Sequence, residues 1–382
     1  MLLGNFTVKV QVFSQDAYNM SGHEDSNRMT YGNYLRLDDV LSLQEGPVGY
    51  SPKPCNDELH FIIVHQAFEL WFKLVLSELK EVHQLMDKEH IEEGSMPKIV
   101  HHLKRVSSVF NLMSQQWKVM ETLTPQDFLS FRDRLGTSSG FESWQLRQIE
   151  TILGLEQQQR EAGMDPLKHM ERLAKEGKIS KDVLVDFQAR INSPSLCDLL
   201  DNWLSRTPIN GSLSNDLGDE EVIDQYVENH LQAMSNHSES VIEHILSIGH
   251  GDEASIRPRM EKSVSGARSF LIQDGKVNRS RAGLLFIESY RDLPLLSWPR
   301  ALIDSFVELE QALLLFRNSH ARMVERMIGR RMGTGGSSGV DYLDATLKYR
   351  IFVDLWAIRT ILVRRDLLPE VADPSYYEFN SQ

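Results

Sequence analysis

From Asn56 onward, apolar residues return at three- and four-residue intervals: Leu59, Ile62, Ile63, Leu70, Leu74, Leu79, Val82 and Leu85. That period belongs to an α-helix rather than a strand. At about 1.5 Å of rise per residue the block runs roughly 45 Å, a length that suits a large helical bundle. Asn56 or Asp57 is placed to cap its start. Its first half, LHFIIVHQAFELWF, is apolar nearly all round, so it is expected to be buried on most sides.

The same period predicts helices at about 92–118, 125–134, 142–158, 165–191, 195–205, 220–247, 255–270, 281–289, 298–331 and 342–364. Thr124 ahead of Gln126 and Asp127 reads as a helix start, and the polar stretch NGSLSNDLGD (210–219) as a loop. No Asn-Gly or Asp-Gly pair is seen between two alternating runs, and no βαβ unit or tandem repeat occurs. The expected class is all-α, a large helical bundle with a smaller helical insertion at about 160–275 on its periphery. Residues 1–30 read as an N-terminal arm in which Phe6, Val8, Val10 and Val12 alternate as one short strand would. Residues 31–382 read as a single all-helical domain.

Charge and cysteine content narrow the function. A net charge of -13 lacks the basic surplus of a nucleic-acid binder. Two cysteines, Cys55 and Cys197, supply neither a disulfide framework nor a CxxC metal pair, which points to a reducing, cytoplasmic setting. The opening MLLGNFTVKVQVFSQD lacks a basic segment followed by a long apolar core, and no stretch of 18 uncharged apolar residues exists. No signal peptide and no membrane span are therefore expected.

Four segments hold residues suited to chemistry. In the helix at 302–331 the apolar stripe runs Phe306, Leu309, Leu313, Phe316, Met323 and Met327, and the missing member of the series is His320. A satisfied core histidine is one reading. The other is a metal or heme ligand, since one imidazole among apolar side chains is what a proximal heme ligand needs. Arg317 and Arg322 lie close enough in sequence to meet propionates. The run GTGGSSG (333–339) follows the helix; it is either a surface linker or a loop that lets backbone approach a ligand, with Thr334 offering a hydroxyl. His65 stands one turn after Phe61 in the apolar half of the 57–86 helix, as core packing or as a base beside a flat substrate. In DFLSFRDRLGTSSGF (127–141), Phe128 and Arg132 share a face, for a surface ion pair or for a carboxylate ligand. His230, His237 and His244 repeat every seven residues, roughly 10.5 Å apart along a helix, too far for one ion. His101-His102 has no partner at ligand spacing.

The segments YGNYLRLDDVLSLQ (31–44), ELHFIIVHQAFELWFKLVLSEL (58–79), LTPQDFLSFRDRLGTSSGFES (123–143), YRD (290–292) and RNSHARMVERMIG with GTGGSSG (317–339) together resemble the tryptophan 2,3-dioxygenase family, in that family's order and over about 300 residues. The resemblance implies heme b buried between helices, with His320 as axial ligand of the iron and Ser139 and Gly140 in a turn beside the heme edge. It implies that His65 meets the indole N–H, that Phe61 packs on the indole, and that Arg132, with Phe128 beside it, pairs with the substrate carboxylate. Thr334 matches a residue contacting the substrate ammonium and carboxylate. Tyr31, Tyr34 and Leu35 match a segment that reaches a neighbouring subunit's site, which implies a homotetramer. The implied reaction inserts both atoms of O2 across the indole C2–C3 bond of L-tryptophan to give N-formyl-L-kynurenine. Phe316 and Val340 stand where the family usually has Trp and Tyr, and the stretch from Gly339 to Tyr349 is about two residues shorter than usual. A related oxygenase acting on a substituted tryptophan, inserting one oxygen atom, and a non-catalytic helical heme sensor are the alternatives.

Overall fold

The structure, a computed structural model, describes residues 29–379 apart from 48, 137, 161–164, 250 and 334–338. The chain divides into two compact units, residues 1–54 and 55–382. The strand expected from Phe6, Val8, Val10 and Val12 lies outside the described residues. In the first unit α1 (Tyr31–Leu35) is capped by Thr30, whose hydroxyl accepts from the Asn33 amide, and α2 (Leu37–Val40) follows after Arg36, at φ 52°. Tyr31 and Tyr34 are 76% and 73% exposed, and Leu35 is also exposed.

The second unit is built around three long helices: α3 (Asn56–Met86), α4 (Met96–Met120) and α13 (Ser297–Ile328). α4 packs between the other two, and Gln116 of α4 donates its amide N–H to the Val64 carbonyl of α3 at 3.2 Å. Asn56 is already helical; Cys55 occupies the cap position without a side-chain bond, and Asp57 and Glu58 in the first turn complement the helix dipole instead. α3 is long and apolar enough to cross a bilayer by length and composition. Here it packs on α4 and α6 (Trp144–Leu153) and contributes Val64, Phe68, Phe72, Val75 and Leu79 to the main core. The expectation of burial on most sides fails at Ile63 and Leu70, which are 48% and 61% exposed because none of the described residues covers that side.

α5 (Pro125–Arg132) starts as its sequence indicates: the Thr124 hydroxyl accepts from the Asp127 amide, and Pro125 takes the first position, where no N–H is needed. Thr124→Ala is expected to lower unfolding stability by about 1 kcal/mol. A urea midpoint equal to wild type would show that Pro125 alone sets the helix start.

Three predicted helices end early. The 142–158 block stops with α6, since Gly154 takes φ 110° and lies against α9 (Leu196–Leu204). A Cβ there would meet Ser195 Oγ at 2.7 Å and Cys197 Cβ at 2.8 Å. The 165–191 block splits at Gly177 (φ 72°) into α7 (Pro166–Lys175) and α8 (Lys181–Ile191), the second capped by Ser180. The 342–364 block becomes α14 (Gly339–Thr346), an irregular strap, and α15 (Val353–Ala357). The buried Glu310 carboxylate of α13 explains this. It accepts from the Ile351 and Phe352 amides at 2.5 and 3.2 Å and from the Trp356 indole N–H, so these amide donors are not free for a continuous helix.

Between α11 (Glu253–Leu271) and α12 (Arg279–Ser289) a hairpin joins β1 (Ile272–Gln273) to β2 (Lys276–Val277). Its turn is Asp274-Gly275, both at positive φ, the geometry such a two-residue turn requires. The flanking strands have two residues each, too short to alternate, so this Asp-Gly pair carries no hairpin signal in the sequence. The class remains all-α. α10 (Asp219–Ser247) completes the unit; its His230 is fully buried and donates from Nε2 to the Ile361 carbonyl, so it is a core histidine.

Candidate functional site

Elements α3, α5, α6, α13 and α14, with the loop 138–143, enclose a cavity of about 750 Å³. That is within the usual span of roughly 300–1,000 Å³ for small-molecule and cofactor sites. His65, Phe61, Phe128, Arg132, Ser139, Gly140, Arg317 and His320 all border it.

α13 brings His320 to one wall because Phe306, Leu309, Leu313, Phe316, Met323 and Met327 are buried and fix the helix's rotation. The imidazole stacks on the Trp117 indole, centroids 4.5 Å apart and planes 7° from parallel. Phe316, 6.4 Å away, sits in an aromatic group with Phe68, Phe72, Phe110 and Trp117. Burial, then the proximity of His65, pushes the His320 pKa down to about 4. The ring is therefore neutral at pH 7, with no hydrogen-bond partner among the described residues, and its nitrogen lone pair is available to a metal.

His65 also borders the cavity, and its Nδ1 lies 2.8 Å from the Phe61 carbonyl oxygen. A carbonyl only accepts, so Nδ1 carries the proton. Burial chiefly, partly opposed by that carbonyl and reinforced by His60, holds its pKa below the ordinary histidine value. The neutral ring thus has Nε2 as its acceptor. The Phe61 ring lies 4.0 Å from His65, tilted by 31°, with Phe128 and Phe131 at 5.9 and 5.8 Å from Phe61. At the end of α5, Arg132 donates to the Met332 carbonyl at 2.5 Å. It has no carboxylate partner among the described residues, so the surface ion pair is not formed.

The third wall is cationic. Glu150 of α6 is met by Arg147 at 3.1 Å, Arg160 at 2.7 Å and Arg317 at 3.1 Å, all four side chains nearly fully buried. Burial raises the Glu150 pKa; Arg147, Arg317 and Arg160 outweigh it and bring the carboxyl down to about 2. Three guanidinium groups against one carboxylate leave two positive charges in excess in this cluster. Arg147 Nε and Arg160 Nε are buried without a hydrogen-bond partner. Tyr349 packs under Arg317, and the Tyr342 phenol bonds Arg147. Such a buried excess of charge calls for an anion.

The loop 138–143 is held from outside. His169 of α7 donates from Nε2 to the Phe141 carbonyl at 2.9 Å, and Lys178 pairs with Glu142. Ser139 accepts from the Phe141 amide, and a Cβ on Gly140 would meet no protein atom within 4 Å, so the space before it is open.

Arg317 and Arg322 part company. Arg317 is in the cluster, whereas Arg322 points away from the cavity and pairs with Glu325 and Asp344. Thr334 lies outside the described residues, and Tyr31, Tyr34 and Leu35 belong to the first unit. Sequence reasoning passed over Trp117, which reads as one more core position of α4, and the Arg147–Glu150–Arg160 group. The only signal for the latter was Arg147 and Glu150 three apart amid Leu146, Ile149 and Leu153.

The family model described as tryptophan 2,3-dioxygenase matches residues 16–362. A Tryptophan 2,3-dioxygenase from Sorangium cellulosum is 40% identical over 365 residues, covering 92% of this chain and 87% of that protein. Tryptophan 2,3-dioxygenase 2 of Ralstonia nicotianae is 38% identical, covering 92% of this chain and 98% of its own. The Tryptophan 2,3-dioxygenase of Anopheles gambiae is 35% identical over 90% and 88% respectively.

Proposed function

We propose, from the premise that this chain belongs to the tryptophan 2,3-dioxygenase family, that its cavity binds heme b on His320 and oxidises L-tryptophan with O2 to N-formyl-L-kynurenine. The enzyme is an oxidoreductase of the dioxygenase type, heme-dependent and O2-using as its family is. One observation carries the heme assignment: a single cavity sets a neutral, unpartnered imidazole on one wall and an uncompensated cluster of buried arginines on another. A metal-bearing macrocycle with two carboxylates would match both. His320 would take the iron, Arg317 with Arg147 the propionates, and Ser139 and Gly140 the edge. Bound there, heme supplies a redox-active iron that activates O2.

The chain's own residues then bind and orient the substrate. Phe61 and Phe128 form aromatic walls for the indole, and His65 Nε2 accepts its N–H. Arg132 pairs with the carboxylate, and by the family resemblance Thr334 contacts the ammonium and carboxylate. Fixing both ends of the amino acid leaves the indole one orientation, which is where much of the rate and specificity arises.

The active form is a homotetramer in this reading. Ile63 and Leu70 on α3, Leu112 and Val119 on α4 and Leu315 on α13 leave apolar surface for a second copy. The exposed Tyr31, Tyr34 and Leu35 complete a neighbour's site, and residues 31–382 act as one oxygenase domain. The two free thiols suit the cytoplasm.

Incubating the reduced, heme-loaded protein with L-tryptophan and ¹⁸O2 tests the reaction. N-formyl-L-kynurenine carrying both labelled atoms is expected. A product with one labelled atom, or turnover only of substituted tryptophans, would favour the monooxygenase alternative, which the names of the relatives do not support.

A further inference from the structure

Glu58, Phe61 and His65 stand at i, i+3 and i+7 of α3, on one helix face. Two of the three border the cavity. The first does not, and it is a carboxylate only 2% exposed. Its Oε2 accepts from Arg134 Nη1 at 2.5 Å, and the Arg134 side chain is itself 24% exposed. Arg134 belongs to the single 3-10 turn Asp133–Leu135 that follows α5, two residues beyond Arg132.

α5 has eight residues and is capped at its far end by Thr124. Its middle leans on α3 through Phe61 with Phe128 and Phe131. Aromatic contacts of this kind tolerate sliding, because apolar packing has little directionality. An ion pair with one member inside the protein does not, since moving it strands a buried charge. The Arg132 side chain is oriented separately, by the Met332 carbonyl.

We propose that the Glu58–Arg134 ion pair is a positioning device. It fixes the end of α5, and with it Arg132, at a set distance from Phe61 and His65, and so selects an indole whose carboxylate lies at that distance from the ring. The inference rests on the reading that Arg132 takes the substrate carboxylate. Neither Glu58 nor Arg134 touches substrate; both act through Arg132. Small displacements of such a contact are costly, on the order of 100-fold for about 1 Å.

The test is spectral titration of the full-length, heme-loaded protein with L-tryptophan and with tryptamine, which lacks the carboxylate. Arg134→Gln is expected to weaken L-tryptophan about 10-fold and leave tryptamine unchanged, while Arg134→Lys stays within about twofold of wild type for both. Glu58→Asp keeps both charges but shortens the reach by one methylene, and is expected to weaken L-tryptophan selectively even if Arg134→Gln fails to fold. Placed on Arg132→Ala, either change should add no further loss. Equal weakening of both ligands, or none of either, overturns the proposal while leaving Arg132 in its role. If Arg132→Ala alone leaves L-tryptophan binding intact, the reading of Arg132 falls, and the proposal falls with it.

Discussion

His320→Ala is expected to yield a helical protein that retains no heme through gel filtration, shows no Soret band and does not turn over tryptophan. The imidazole is a neutral nitrogen ligand on its wall of the cavity, held by stacking on Trp117 and kept unprotonated by a pKa of about 4. Alanine removes that ligand and leaves space in front of the Trp117 ring. Most of α13's packing is untouched, because the stripe from Phe306 to Met327 is buried independently of position 320. Loss of heme should therefore come without loss of helix content by circular dichroism. Added imidazole should occupy the space and restore a Soret band in part, since the arginine cluster still offers its charge to the propionates. A variant with a normal spectrum and full activity would show that another residue holds the iron.

Glu150→Ala should have the largest effect on stability. It leaves Arg147, Arg160 and Arg317 buried together without their shared carboxylate, and breaking a buried ion cluster in this way costs about 3–5 kcal/mol. The wild-type protein carries a pH signature of the same group. Its folded pKa of about 2 lies below the ordinary value of 4.5. The stabilisation is thus fully present above pH 4.5 and is lost as pH falls toward 2. Urea unfolding at pH 7 should show a large difference between wild type and variant, and at pH 2.5 a much smaller one. A difference that stays constant between the two would mean that the carboxylate's charge does not carry the effect. Glu150→Gln keeps hydrogen-bond acceptance while removing the negative charge, so it should cost less stability than alanine.

Much of the frame was legible because helical periodicity and capping are local. The stripe on α13, the vacancy in it that His320 fills, the Thr124 start of α5 and the long apolar α3 each involve residues within a few turns of one another. The shared face of Phe128 and Arg132 follows from the same arithmetic. What periodicity left open was which faces meet. Arg317 and Arg322 sit five residues apart on α13 with similar neighbours. Only the fold shows that the first reaches Glu150, 167 residues away in sequence, and the second Asp344. Tertiary structure likewise decided the proton on His65, through a carbonyl distance that no sequence pattern encodes. It decided the irregular strap at 347–352, where Glu310 takes the amides a helix would have used. Those outcomes turn on buried polar groups finding partners. Burying a charge without one costs several kcal/mol, and which partner is within reach is settled by the packing of the apolar faces that the sequence had already specified.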